Sequence, residues 1–239
     1  MIVVLTGAGI SQESGIPVFR GASGLWGKER LEDVATPQAF KRDPVRVNNF
    51  YNIRRASLLS GEVEPNPAHY ALARLEAELS EQFLLVTQNI DNLHERAGSR
   101  QVLHMHGELL KVICTACCSV MPYEQDIAPH SLCPLCGAGK ALRPQVVWFG
   151  EMPLYMDEIE DALSYCRLFV SIGTSGTVYP AAGFAATARR NGAHTVELNL
   201  EQSLNSQSFD ESHQGRASEV VLAWVEELLQ TVDRGRLLR

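Results

Sequence analysis

Short runs of apolar residues alternate along this chain with longer segments in which apolar residues recur every three or four positions. The short runs predict buried strands at 2–5, 83–86, 168–172 and 195–198. The longer segments predict helices at 44–59, after Asn66, at 156–165, after Pro180 and at 218–229, with Asp43 and Ser218 as N-terminal caps. Strands that alternate with helices indicate an α/β fold built on a doubly wound parallel sheet.

Polar and glycine residues follow these strands at the points where the strands end. The first strand runs into Gly7-Ala8-Gly9, and the second into Gln88-Asn89-Ile90-Asp91. A further apolar stretch ends in His104-Met105-His106-Gly107, and both histidines are expected on one face of that strand. Because ligands of open α/β sheets bind at the carboxyl ends of the strands, these residues predict one shared crevice. Two simpler explanations remain open: Asn89 and Asp91 cap a helix, and the glycines form an ordinary turn.

Length, composition and charge narrow the class of protein. The chain has 239 residues, 45% of them hydrophobic, which suits one large domain or a main domain with a small insert. No apolar run approaches the length that spans a membrane, so we expect a soluble, cytoplasmic protein without membrane contact. The formal charge of −7 makes direct nucleic-acid binding unexpected and leaves room for basic protein partners.

Five of the six cysteines lie within a short stretch and predict a metal site. Cys114 and Cys117 form one C-x-x-C pair, and Cys133 and Cys136 form another, a spacing typical of zinc. Four thiolates close the coordination sphere of Zn²⁺, so the metal is expected to be structural and to stabilise an insert at 113–142. Cys118 competes with Cys117, but the C-x-x-C spacing favours Cys117. A nucleic-acid-binding zinc ribbon is disfavoured, since 113–142 holds a single Lys and no Arg.

Several motifs occur in the order GAGIS, SGIPVFRG, TQNIDNLH, HGELLKVIC and WFGE. In this order they resemble the sirtuins, NAD-dependent protein deacylases, over nearly the whole chain. The resemblance implies a Rossmann-like sheet formed by 1–112 and 143–239, with a zinc-binding module at 113–142. Residues 20–62 are then expected to form part of the small domain and the acyl pocket.

The resemblance also implies where NAD binds and which residues act on it. The implied NAD-binding residues are Gly7, Ala8, Gly9, Ser11, Phe19, Arg20, Trp26, Gln88, Asn89, Ile90, Asp91, Gly173, Thr174, Ser175, Asn199, Leu200, Glu201 and Ala217. His106, which directly precedes a glycine as in the family motif, is the implied general base for a ribose hydroxyl, with Asn89 as a second catalytic residue. Histidine suits this role because its pKa lies near neutral pH.

The substrate implied by the resemblance is a protein carrying an acyl-lysine, bound as an extended peptide along Val147, Trp148, Phe149, Gly150 and Glu151. Tyr51 and Arg54 match the Tyr-x-x-Arg of bacterial class III sirtuins that remove succinyl and malonyl groups. They are three residues apart and share a helix face, and an arginine suits a distal carboxylate. The small Ala35 is expected to leave room for the longer chain.

Other classes compete with a deacylase. A protein ADP-ribosyltransferase activates the same cofactor for another nucleophile. A nucleotide-sensing module without activity is disfavoured by the presence of Gln88, Asn89, Asp91 and His106. A hydride-transferring dehydrogenase is weaker still, because Gly7-Ala8-Gly9 is an incomplete dinucleotide fingerprint.

Overall fold

A six-stranded parallel sheet forms the centre of the molecule, as seen in a computed structural model that describes residues 1–18 and 30–233. The strand order is β3-β2-β1-β7-β8-β9, and every pairing between neighbours is parallel. The strands are β1 Ile2–Thr6, β2 Phe83–Thr87, β3 Val102–His104, β7 Leu168–Ile172, β8 His194–Asn199 and β9 Glu211–Gln214. The order reverses between β1 and β7, so their carboxyl ends diverge and open a crevice there.

Helices cover both faces of this sheet, which explains why its strands are continuous apolar runs. On one face α5 and α9 pack with Val4 and Leu85 into a core, and on the other α7 and α8 pack with Leu5 and Phe169. The helices of the chain are α1 Ala8–Ser11, α2 Leu31–Val34, α3 Pro37–Arg42, α4 Pro44–Leu59, α5 Pro67–Leu79, α6 Leu93–Arg96, α7 Met156–Tyr165, α8 Phe184–Arg190 and α9 Ala217–Asp233. None of those described is long and apolar enough to cross a membrane.

A second, antiparallel sheet carries the cysteines, in the order β5-β4-β6. Its strands are β4 Gly107–Cys114, β5 Val120–Pro122 and β6 Leu142–Val146. The sheet therefore extends beyond the predicted boundaries of 113–142 on both sides. Helices α2 to α4 pack beside it around a separate core that includes Val47, Leu109 and Trp148.

Polar side chains cap the N-terminal ends of two helices, and for α4 the cap is the predicted one. The Asp43 side chain accepts from the backbone N–H of Arg46, and Pro44 occupies the first turn of α4. Asn66 caps α5 in a reciprocal arrangement with His69 at the third helical position.

The prediction that Ser218 caps α9 is wrong, because the helix begins at Ala217. The Ser218 backbone N–H and hydroxyl instead donate to the carboxylate of Glu13, at 2.9 and 2.8 Å. A carboxylate distant in sequence thus takes the place of a local cap and ties the start of α9 to the segment after β1.

Candidate active site

A cleft of about 1580 Å³ lies at the switch point between β1 and β7 and extends to the antiparallel sheet. It brings together nearly all the described residues that the sequence predicted for cofactor and substrate. Those lining it are Gly7, Ala8, Gly9, Ala35, Tyr51, Arg54, Gln88, Asn89, Ile90, Asp91, His106, Val147, Trp148, Phe149, Gly150, Glu151, Gly173, Thr174, Ser175, Asn199, Leu200, Glu201 and Ala217. Phe19, Arg20 and Trp26 lie outside the described residues.

The glycines of the first turn are required by a close approach to the loop after β7. The backbone N–H of Gly9 donates to the carbonyl of Gly173 at 2.9 Å, and a Cβ on Gly9 would lie 2.6 Å from the Cα of Gly173. The N–H of Gly7 donates to Ile172. Both glycine N–H groups are therefore engaged inside the protein, so the glycines serve tight packing of two backbones at the floor of the cleft.

A buried network of amide and carboxylate groups lies beside this turn. The Asn89 side-chain amide donates to the carbonyl of Gly7 and to the hydroxyl of Ser11, both at 3.2 Å. The Ser11 hydroxyl donates to Asp91 at 3.2 Å. Ser11 is fully buried and does not line the cleft, so it positions the two side chains that do.

Asp91 combines a local and a ligand-facing role. One of its carboxylate oxygens accepts from the backbone N–H of Leu93, the first residue of α6. The simpler explanation for this residue, that it caps a helix, is therefore partly correct. Burial raises the pKa of the Asp91 carboxyl, although the bonds from Leu93 and Ser11 oppose the shift. A buried carboxyl at the wall of a cleft is a suitable partner for the N–H donors of a bound amide.

His106 has the geometry of a general base. Its Nδ1 lies 3.1 Å from the carbonyl oxygen of Gln88, and because a carbonyl only accepts, Nδ1 must carry the proton. In the neutral ring Nε2 then has a free lone pair. Burial lowers the pKa of His106, so the ring is neutral at neutral pH and ready to accept a proton.

His104 differs from His106 in surroundings and charge, which corrects the expectation that both histidines face the crevice. The strand β3 ends at His104, and the chain turns at Met105 and His106. The His104 ring is buried between the carbonyl of Asn89, at 3.1 Å, and the Glu95 carboxylate, at 2.6 Å. Burial disfavours its charge, but Glu95 outweighs this and raises the pKa of His104. A ring that donates at both nitrogens cannot act as a base, so His104 holds Asn89 in place.

Another part of the cleft is formed by α4 and the segment after β6. Tyr51 is buried at 3% exposure, and its hydroxyl oxygen accepts from the Trp148 indole N–H at 3.0 Å. The Arg54 guanidinium stacks 3.3 Å above the Phe50 ring and donates to the Phe50 carbonyl. The predicted residues Tyr51 and Arg54 therefore both line the cleft, together with Ala35.

The predicted peptide-binding segment already uses most of its backbone N–H groups. Val147 donates to the carbonyl of His106 at 2.9 Å, Phe149 donates to Ala35 at 3.0 Å, and Trp148 donates to the Glu151 carboxylate at 2.8 Å. Within the described chain, the carbonyls of Val147 and Phe149 accept no hydrogen bond. The segment therefore offers an extended peptide acceptors rather than donors.

Sequence reasoning missed several residues of this site. Arg143 forms a bidentate ion pair with Glu151, at 2.7 and 2.9 Å, and its guanidinium lies 3.4 Å over the Trp148 ring. Val178 and Tyr179 also line the cleft. Arg143 was missed because a single arginine after the cysteine-rich insert forms no recognisable motif. Val178 and Tyr179 were missed because contacts between distant segments leave no local pattern in the sequence.

The four predicted cysteines converge as a zinc site requires. The sulfur atoms of Cys114, Cys117, Cys133 and Cys136 all lie within 4.8 Å of one another. Two of the separations are 3.7 and 3.9 Å, which match the roughly 3.8 Å edge of a tetrahedron with sulfurs about 2.3 Å from zinc. Cys118 is exposed and is not part of this cluster. The donor set therefore fits Zn²⁺, and it includes Cys117 rather than Cys118.

Comparison with known proteins adds independent evidence. The sequence profile of the Sir2 family matches residues 7–180. An NAD-dependent protein deacylase of Escherichia coli (strain K12) is 57% identical over 236 residues, which cover 99% of this chain and 85% of the relative.

Two solved structures illustrate what similar folds bind. The crystal structure of a Sir2 homologue in complex with NAD superposes with a TM-score of 0.86 at 39% identity, covering 97% of this chain and 90% of the other. The structure of Sir2Tm bound to a propionylated peptide superposes with a TM-score of 0.80 at 29% identity, covering 95% and 92%.

Proposed function

This chain belongs to the Sir2 family, and from that membership and its cleft we infer that it is an NAD-dependent protein-lysine deacylase. The observation that carries this inference is the convergence of Gln88, Asn89, Asp91 and His106 at the switch point of the sheet. Relatives that match nearly the whole chain bear the same activity in their names, and similar folds bind NAD and an acylated peptide. An ADP-ribosyltransferase is not favoured by any of these relatives.

The residues of the cleft fit NAD by their chemistry. The backbones of Gly7 to Gly9 and Gly173 to Ser175 form a floor that a Cβ would fill, and Asn199, Glu201 and Ala217 line the side near α9. When bound, NAD supplies the ribose carbon that takes up the acyl oxygen as nicotinamide leaves. The buried polar side chains of Asp91 and Asn89 hold the amide group of the bound ligand. Gln88 lies beside the general base, His106.

His106 moves the proton in this scheme. Its Nδ1–H bond to Gln88 fixes the ring, and the neutral Nε2 accepts a proton from a hydroxyl placed in the cleft. His104, charged and bonded to Glu95, keeps the Asn89 backbone fixed while His106 works. The Ser11 hydroxyl holds Asn89 and Asp91 together from behind.

The substrate is a lysine-acylated protein segment that binds extended beside 147–151. The carbonyls of Val147 and Phe149, which accept no hydrogen bond from the described residues, support pairing with peptide N–H groups. Tyr51 and Arg54 in the wall of the cleft support acidic acyl chains, because a guanidinium and a phenol both donate to a carboxylate. Succinyl and malonyl groups are thus proposed as substrates alongside acetyl.

The proposed zinc site supports a reducing compartment for this protein. Thiolates that hold zinc persist where disulfides do not form, which favours the cytoplasm. Direct nucleic-acid binding is not proposed, since the formal charge is −7.

The activity is tested by mass spectrometry of one peptide carrying acetyl-, succinyl- or unmodified lysine, incubated with and without NAD. We expect NAD-dependent loss of the acyl group with release of nicotinamide and an O-acyl-ADP-ribose. Mass added to the peptide in place of acyl loss would instead indicate an ADP-ribosyltransferase, and turnover without NAD would overturn the proposal.

A further inference from the structure

The Trp148 indole lies where it can set the direction of the Tyr51 hydroxyl. An indole N–H can only donate, so at a separation of 3.0 Å the Tyr51 oxygen must be the acceptor. A phenol has one proton and two lone pairs. Because Trp148 occupies a lone pair, the Tyr51 proton must be donated to a different partner.

The Tyr51 hydroxyl keeps that proton under physiological conditions. Tyr51 is almost completely buried, and burial raises the pKa of its phenol well above the ordinary value. The residue lines the cleft three positions before Arg54 on the same helix. A group that enters this part of the cleft therefore meets an O–H donor beside a cation.

Trp148 is itself held firmly by its neighbours. Its ring lies 3.4 Å from the Arg143 guanidinium carbon and 5.2 Å, centre to centre, from the Phe40 ring. Its backbone N–H donates to Glu151, the same carboxylate that Arg143 clamps. The indole cannot turn away without breaking these contacts.

We propose that Trp148 is a specificity-determining positioning residue, which fixes the Tyr51 hydroxyl as a donor toward the distal carboxylate of an acidic acyl chain. The inference rests on the proposed deacylase function and its acidic acyl substrates. Acetyl groups end in a methyl and gain nothing from a donor at this position. Selectivity for succinyl over acetyl is then shared among Arg54, Tyr51 and the indole N–H behind Tyr51.

The test is a double-mutant cycle on the ratio of succinyl to acetyl efficiency, kcat/KM with one peptide sequence. Trp148→Phe removes the N–H and keeps an aromatic ring for Arg143 and Phe40. We expect this ratio to fall about threefold to tenfold, the loss of one oriented hydrogen bond. Tyr51→Phe should lower the ratio as well, and adding Trp148→Phe to Tyr51→Phe should lower it no further.

Binding provides a second readout. Calorimetry without NAD should show that Trp148→Phe weakens binding of the succinyl peptide more than binding of the acetyl peptide. If Trp148→Phe shows no cooperative thermal transition, Glu151→Gln, which loosens the Trp148 backbone, should lower the same ratio. Equal losses on both substrates, or additive losses in the double variant, would reduce Trp148 to a packing residue and overturn the inference. Failure of the proposed acyl specificity is distinguishable, because Arg54→Met and Tyr51→Phe would then leave the ratio unchanged too.

Discussion

At the scale of single residues, the assignment of base and positioning residue depends on two histidines that lie two positions apart. His106→Tyr should lower kcat/KM for deacylation roughly a hundredfold to ten-thousandfold, the usual loss of a general base. His104→Ala should cost less, because it loosens Asn89 without removing the base. Steady-state kinetics with matched thermal melts check both variants, and near-normal turnover of His106→Tyr would reject the base assignment.

The pH profile gives His106 an independent signature. Its pKa is lowered by burial, so the base stays neutral as pH falls through the ordinary histidine value of about 6.5. In the wild type, kcat/KM should therefore decline on the acid side only below that pH.

Arg54→Met removes the charge of this cleft residue while keeping a long side chain in its place. Hydrogen bonds to charged groups contribute about 1.5–3 kcal/mol, so desuccinylation efficiency should fall roughly tenfold to a hundredfold. Deacetylation should fall much less, since an acetyl group carries no distal carboxylate. The measurement is the pair of efficiencies on one peptide, and equal losses would mean that Arg54 supports the fold or the peptide.

At the scale of elements, the antiparallel sheet depends on the cysteine cluster at its end. Cys114→Ser or Cys133→Ser should give insoluble or metal-free protein, because metal binding supplies part of the folding energy of a small sheet. Cys118→Ser, an exposed thiol outside the cluster, is the matched control and should retain zinc. Elemental analysis should find one zinc per chain in the wild type and in this control.

The loop after β8 depends on a buried carboxylate. Glu197 is fully buried, and its oxygens accept from the Ser203 backbone N–H and from the Ser206 and Ser212 hydroxyls. The segment it holds, 200–204, lines the cleft beside Asn199.

Glu197→Gln should therefore raise KM for NAD about threefold to tenfold, because an amide cannot accept all these bonds. We expect kcat to change less, since this loop contains neither His106 nor the residues predicted to bind the acyl chain. Glu211→Gln removes a charge from the adjacent exposed strand β9 and should leave KM unchanged. If Glu197→Gln lowers the melting temperature but leaves KM for NAD unchanged, the role of Glu197 is structural only.

At the scale of the whole molecule, stability should depend on pH through buried neutral histidines. His69 and His94 pack ring to ring at 4.9 Å, and burial lowers the pKa of His69 to about 4. The pKa of His94 is also lowered, mainly by burial. The unfolded chain thus binds protons that the folded chain does not, and stability should fall as pH drops below about 6.5.

His69→Gln isolates one of these groups. Glutamine at the third helical position can keep the reciprocal bond to Asn66 and does not titrate. Between pH 6 and pH 4.5 the free energy of unfolding should depend less steeply on pH in the variant, by up to about 1.4 kcal/mol per pH unit. Urea unfolding at each pH, with zinc content checked in parallel, measures this difference. If the free energy of unfolding had the same slope against pH in both proteins, the acid sensitivity would belong to residues other than His69.

Much of the fold could be predicted from local patterns, because strands buried on both faces are short apolar runs. The strand predicted at 168–172 matches β7, the cap Asp43 is confirmed, and a helix does follow Asn66. The four-cysteine cluster was predictable because metal ligands have characteristic spacing. These features depend on residues close together in the chain.

The errors lie where distant segments meet. Local pattern assigns Ser218 as a cap because it cannot reveal Glu13 arriving from the other end of the chain. Local pattern also does not reveal that the backbone N–H groups of Gly7 and Gly9 donate to Ile172 and Gly173. His104 is not in the crevice because two-residue alternation holds only while a strand continues, and β3 ends at that residue.

The two long strands of the antiparallel sheet connect the cysteines to the reacting groups. In the pair β4 and β6, Cys114 is opposite Leu142 at one end and Gly107 is opposite Val146 at the other. The next residues at that far end are His106 and Val147, joined by a hydrogen bond of 2.9 Å. An electrophile that modifies these cysteines is thus expected to inhibit the enzyme from outside the cleft. Its inhibition would lower the maximal rate and be noncompetitive toward both the dinucleotide and the peptide.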